Sequence, residues 1–198
     1  MIGFAVDKIH DYFASQVYLS ENDSIKLKYI LKVILNELSK LIILFFIFFM
    51  VNNGINYIYC LTSLIPLRTY IGGIHYKTYT GCLIFSGVFI YVSIYLSSHL
   101  SINYFTAMIQ FIFSLLIIVA LAPIISKSRP IYNRRKKMYF KLISILIVLF
   151  HFTAYFSTKN NPYFTQSIWV ITLQSIQLII AKGGLLYENS KNILNKSN

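Results

Sequence analysis

Two stretches, 80–100 and 104–125, contain no formally charged side chain. A helix needs about 20 mostly apolar residues to cross the ~30 Å hydrocarbon core of a bilayer, so both read as membrane spans. Residues 142–156 follow directly on Lys141, and this shorter run borrows 139–141, its lysine snorkelling to the interface. Residues 163–181 carry only uncharged polar groups. Two earlier runs are weaker: 35–51 includes Glu37 and Lys40 near its start, and 55–67 is short and meets Arg68. Asn52, Asn53 and Gly54 supply the turn between them. This hairpin either crosses fully or re-enters the same face, and both versions return the chain to its starting side.

Composition agrees. Only 12% of the 198 residues are charged, about half the usual share of a soluble domain, which is roughly 25%. A water-soluble surface cannot be built from that. The expected fold is an all-α integral membrane protein: a polytopic helical bundle with four to six hydrophobic segments, forming one domain over 1–198. At the N-terminus Asp7, Lys8, His10 and Asp11 interrupt any signal-peptide core. Ile2, Ala5, Val6, Ile9, Phe13 and Val17 form a helical stripe within 1–24, suited either to the headgroup region or to packing on protein.

A net charge of +12 would suit a nucleic-acid binder. Most of the excess, however, clusters at Lys127, Arg129, Arg134, Arg135, Lys136, Lys137 and Lys141, between apolar runs. Short loops rich in Lys and Arg stay cytoplasmic, so the cluster reads as a topology determinant for a cell-membrane protein, with no nucleic-acid partner expected. Its charge would also suit an acidic peptide or lipid headgroups. Placing 127–141 inside puts 68–79 and both termini inside as well. It leaves the nearly neutral connections 52–54, 101–103 and 157–162 outside. The tail 188–198 is polar and is expected to be mobile.

Only the segment 68–82 combines nucleophile, base, cation and glycines: Arg68, Gly72, Gly73, His75, Gly81 and Cys82. A thiolate attacks carbonyl carbon well, and an imidazole can take its proton and later protonate the leaving amine. On one straight helix, seven residues would separate His75 and Cys82 by about 10.5 Å along the axis. The segment must therefore fold back, and glycines are the residues that permit it. Thr78 or Thr80 can cap the next helix, placing Cys82 in its first turn, where backbone N–H groups favour an anion. Taken singly, each residue has a plainer role. A lone cysteine in a membrane helix is commonly an inert hydrophobe, Arg68 can snorkel, and Gly72-Gly73 can simply end a helix.

Other reactive residues stand alone. Cys60 and His151 lie within apolar runs and His99 lies near the outer surface. There is no H-E-x-x-H, G-x-S-x-G or P-loop pattern, so no metal and no cofactor are expected. Asp and Glu are absent after Glu37 apart from Glu188. A third, acidic catalytic group would have to come from the N-terminal region, a neighbouring subunit or a backbone group.

Arg68, Gly72-Gly73, His75 and Cys82, seven positions after the histidine, together resemble the accessory gene regulator B (AgrB) family, membrane peptidases of Gram-positive quorum-sensing systems. A second match is Ala122-Pro123 followed by Arg129-Pro130 and the basic cluster. Family members often carry acidic residues between those prolines, where this chain has Ile124-Ile125-Ser126-Lys127-Ser128. The resemblance implies a cysteine endopeptidase near the cytoplasmic face, with an AgrD-like propeptide as substrate and a homodimeric state. Cys82 would be the nucleophile and His75 the base, with Arg68, Gly72 and Gly73 in support. The tail of the propeptide would be removed through a thioester, which an internal cysteine or serine then displaces to close a thiolactone or lactone. The competing class is a small transporter or scaffold in which Gly-Gly and Gln166, Gln174 and Gln177 pack helices or line a path.

Overall fold

A computed structural model of the chain describes residues 2–18, 20–74, 78–124, 132–158 and 161–197, with side chains described for 3–185 among these. The described residues form helices α1 (Ile2–Gln16), α2 (Glu21–Met50), α3 (Gly54–Ile71), α4 (Tyr79–His99), α5 (Tyr104–Leu121), α6 (Arg134–Ser157) and α7 (Pro162–Ser197). They divide into two units, Met1–Gly54 and Ile55–Asn198.

In the first unit α1 folds back on α2. Val6 and His10 are buried. His10 Nε2 lies 2.8 Å from Ser24 Oγ, and Lys28 Nζ donates to Asp7 Oδ1 at 2.9 Å. The inner edge of the N-terminal stripe thus packs on protein, while Phe4, Phe13 and Val17 remain exposed. α2 starts fourteen residues before the expected run because its start is set by a cap and not by hydrophobicity. Ser20 Oγ accepts from Asp23 N at 3.3 Å, and Glu21 and Asp23 occupy the positively polarised first turn.

In the second unit, the first half of α3 contacts the start of α7, and the residue just past the end of α3 contacts the middle of α7. Gln166 Nε2 donates to Asn56 O, the Tyr59 and Tyr163 rings stack at 3.9 Å, Ser63 Oγ donates to Ser167 Oγ at 2.8 Å, and Gln174 Nε2 donates to Gly72 O at 3.0 Å. The two helices are therefore parallel. α5 and α6 run oppositely: Tyr104 meets Phe156, Phe111 meets Phe152, and Lys141 Nζ donates to Val119 O at 2.6 Å. α7 is central, packed against α4, α5 and α6 as well as bonded to α3. This topology gathers the end of α3, the start of α4, the end of α5, the start of α6 and the 174–182 portion of α7 at one end of the bundle.

Among the described residues, five helices are long and apolar enough to cross a membrane: α2, α4, α5, α6 and Pro162–Leu185 of α7. α3, at 18 residues, is about 27 Å long but carries Asn56, Ser63, Arg68 and an internal Pro66. The radial distribution is inverted relative to a soluble protein. Ser63, Ser114, Gln174 and Ser175 have no exposed surface, whereas Phe46, Leu116, Leu146 and Phe150 are each more than half exposed. Such an apolar exterior would aggregate in water; hydrocarbon is its natural solvent, and small polar residues let the helices approach. The chain is a multi-pass membrane protein.

Helix ends depart from the apolar runs for local reasons. α5 stops at Leu121, before Pro123, because the residue preceding a proline avoids the helical region; Ala122 lies at φ −79°, ψ 150°. α6 begins five residues before the expected 139–156 run, at Arg134, where Asn133 Oδ1 accepts from Arg134 N at 2.7 Å. α7 carries helical backbone to Ser197, through the polar tail. Extending an existing helix needs no new nucleus, so the tail requires no apolar stripe of its own.

Candidate functional site

α3 ends in a left-handed glycine. Gly72, at φ +82°, donates its N–H to Arg68 O at 3.0 Å, and Gly73 follows at φ +156°. The exit is then held by three groups, two of them distant in sequence. Ile124 N donates to Ile71 O at 2.9 Å, Gln174 Nε2 donates to Gly72 O at 3.0 Å, and Arg68 Nη2 reaches forward to Ile74 O at 2.8 Å. Arg68 therefore does more than snorkel, since its guanidinium spans the glycine turn.

The two glycines are required for different reasons. A Cβ on Gly72 would collide with the backbone carbonyl oxygen of Ile124. A Cβ on Gly73 would lie 2.9 Å from Gln177 Oε1 and 3.1 Å from Gln174 Nε2. The first glycine permits backbone against backbone; the second makes room for two carboxamides.

Cys82 sits where the chain re-enters the bundle. Thr78 is the cap: its Oγ1 accepts from Gly81 N at 3.2 Å, and its carbonyl accepts from Cys82 N at 3.1 Å. Cys82 thus lies in the first turn of α4, 5% exposed. His75 lies outside the described residues, as do Lys127 and Arg129. The described flanks of that histidine, Ile74 and Thr78, belong to the same end of the bundle. Arg134, Arg135, Lys136 and Lys137 are exposed at that end too, and Tyr70 packs edge-on against Phe140 of α6 with ring centroids 5.4 Å apart.

The remaining candidates have structural surroundings. Cys60 is fully buried, its Sγ accepting from Gln166 Nε2 at 2.8 Å. His99 stacks on Tyr95 at the far end of α4, with centroids 4.1 Å apart. His151 is within 2.8 Å of Ile147 O and borders an apolar groove of about 510 Å³ between α3, α6 and α7 that also includes Tyr59, Pro66 and Phe150. The groove's described lining includes no Cys, Asp, Glu or second His and none of residues 71–74. Among the described residues no cluster of His, Cys, Asp and Glu could hold a metal ion.

Two residues at the site were not singled out as site residues by the sequence. Gln174 and Gln177, one helical turn apart on α7, abut Gly73. Gln174 Oε1 and both polar atoms of Gln177 are buried and lack a hydrogen-bond partner among the described residues. The available signal was their cost: amides in an otherwise apolar span are expensive unless they have a task.

The sequence model described as "Accessory gene regulator B" matches residues 6–178. A curated protein of Clostridium beijerinckii, "Putative AgrB-like protein", is 32% identical over 97% of this chain and 96% of its own length. No solved structure matches the chain. The family match spans the glycine turn, Cys82, the basic start of α6 and α7 as far as Leu178, and the chain belongs to the accessory gene regulator B family.

Proposed function

We propose that the chain is a membrane cysteine endopeptidase that removes the C-terminal tail of a short AgrD-type propeptide during quorum-sensing signal maturation. The observation that carries this reading is the placement of Cys82 in the capped first turn of α4, at the same end of the bundle as the Gly72-Gly73 turn. Family membership supports the peptide-processing role.

In this mechanism His75 takes the Cys82 proton, and Sγ attacks the scissile carbonyl carbon. The C–N bond breaks, and the imidazolium gives its proton to the departing amine of the tail. The N-terminal part of the propeptide remains as a thioester on Cys82. An internal thiol or hydroxyl of that peptide then attacks the thioester carbonyl, loses its proton and expels Sγ, closing a thiolactone or lactone. Holding an amphipathic peptide at the interface raises its effective concentration, and a site shielded from water protects the thioester from hydrolysis. The site faces the cytoplasm in this reading, and the enzyme acts as a homodimer.

The test is cleavage of the propeptide by membranes carrying each variant. Cys82→Ala and His75→Ala should be inactive. Cys82→Ser should lose at least about 100-fold, since a hydroxyl ionises far less readily than a thiol. Cys60→Ala should cleave at close to the wild-type rate. Full cleavage by Cys82→Ala would overturn the assignment.

A further inference from the structure

We propose that Gln177, with Gln174 beside it, is a peptide-amide receptor that binds the main chain of the substrate next to Gly73. The idea rests on the peptidase reading and names a binding residue for it.

The observation is a cluster of unmet hydrogen-bonding groups in the interior. Gln177 is 3% exposed and Gln174 is fully buried, yet Gln177 Oε1, Gln177 Nε2 and Gln174 Oε1 have no partner among the described residues. Gln174 uses its Nε2 on Gly72 O. Buried polar atoms are almost always paired, and each unpaired one is a substantial penalty in an apolar bundle. Three such atoms side by side therefore call for a ligand.

Their chemistry selects its class. Two acceptors and one donor group are on offer, all uncharged. A carboxylate would face two carbonyl oxygens, and an ammonium would leave Nε2 unmet. A peptide main chain fits: in an extended residue the N–H and C=O point to the same side, so its C=O accepts from Gln177 Nε2 while its N–H donates to Gln177 Oε1 or Gln174 Oε1. It also brings no charge into a bundle whose residues 38–187 contain no carboxylate to compensate one.

Position supplies the access. The carboxamides press against Gly73, and Gly72, Gly73 and Ile74 are only half-buried, so the receptor lies one layer beneath an open edge of the catalytic segment. A side chain on Gly73 would fill the space between that edge and the amides. A peptidase must hold the main chain around the bond it cuts, and a pair of fixed hydrogen bonds beside the segment carrying the base does so for any side-chain sequence.

The experiment uses full-length protein in liposomes and a fluorescent synthetic AgrD-type propeptide. Affinity is measured with Cys82→Ala protein, so that it does not depend on turnover. Adding Gln177→Leu should raise Kd about tenfold or more. Replacing single backbone amides of the peptide by esters should find one position that weakens binding to a similar degree in Gln177 protein and no further in the Gln177→Leu protein. Gln177→Asn, which retains a shorter amide, should fall between them and serves if the leucine variant does not insert.

Equal Kd for all three proteins would mean that the amides meet only solvent. An unchanged Kd with lost cleavage in a Cys82-intact Gln177→Leu enzyme would mean that Gln177 positions the catalytic segment. Sensitivity to replacing Asn or Gln side chains of the peptide, with no sensitive ester, would mean side-chain recognition. Each would overturn the main-chain receptor. Gln177-dependent binding by a Cys82-intact enzyme that never cleaves would leave the receptor standing and sink the peptidase reading instead.

Discussion

At the residue scale, the glycine pair shows what sequence can and cannot convey. That Gly72 and Gly73 allow a fold-back is readable from residue type and the spacing between His75 and Cys82. Why both must be glycine is not, because the obstacles, Ile124 O and the Gln174–Gln177 pair, lie far away in the chain. The same contacts separate their substitutions. A Cβ on Gly72 meets backbone that is itself tied to Ile71, so Gly72→Ala should destabilise the fold by about 1–3 kcal/mol, seen as a lower unfolding temperature in detergent. A Cβ on Gly73 meets only the ends of flexible side chains. Gly73→Ala, strained by its φ of +156° but not by a backbone clash, should therefore cost less stability than Gly72→Ala while losing most cleavage, and Gly73→Val should be inserted but inactive. Equal loss of stability in Gly72→Ala and Gly73→Ala would contradict this division.

At the element scale, α4 was legible almost to the residue because an uncharged run and a threonine cap mark the same boundary. α2 and α6 were not, because capping by Ser20 and Asn133 extends them into polar sequence that a hydrophobic scan discards. The cap on α4 is the more consequential one, since it orients the first turn that holds Cys82. Thr78→Ala removes the oxygen that accepts from Gly81 N, a loss of about 1 kcal/mol of helix-end stability. It should slow cleavage several-fold, with Thr78→Ser restoring it and Thr80→Ala nearly silent. Single-turnover rates on the three variants check this; a slower Thr80→Ala than Thr78→Ala would place the functional helix start elsewhere.

At the scale of the whole molecule, the basic cluster and the glycine turn were both visible in sequence, but their adjacency was inferred only from counting spans. The structure brings them together directly, through Ile124 N to Ile71 O and the packing of Tyr70 on Phe140. It also makes the topology testable from two positions at opposite ends of the same unit. On intact cells of a Cys60→Ala strain, a cysteine at Lys136 should resist an impermeant thiol reagent, whereas one at Ser101 should react. The reverse pattern would turn the bundle over and put Cys82 outside.

The claim that unites these scales is that Cys82 carries the propeptide as a thioester. The most direct measurement is mass spectrometry of wild-type enzyme incubated with a propeptide whose internal nucleophile is replaced by alanine, so that cleavage can proceed while cyclisation cannot. The expected result is a hydroxylamine-sensitive adduct of the N-terminal fragment that maps to Cys82 and is absent from Cys82→Ala. An adduct on Cys60, or release of the tail with no adduct on either cysteine, would contradict it.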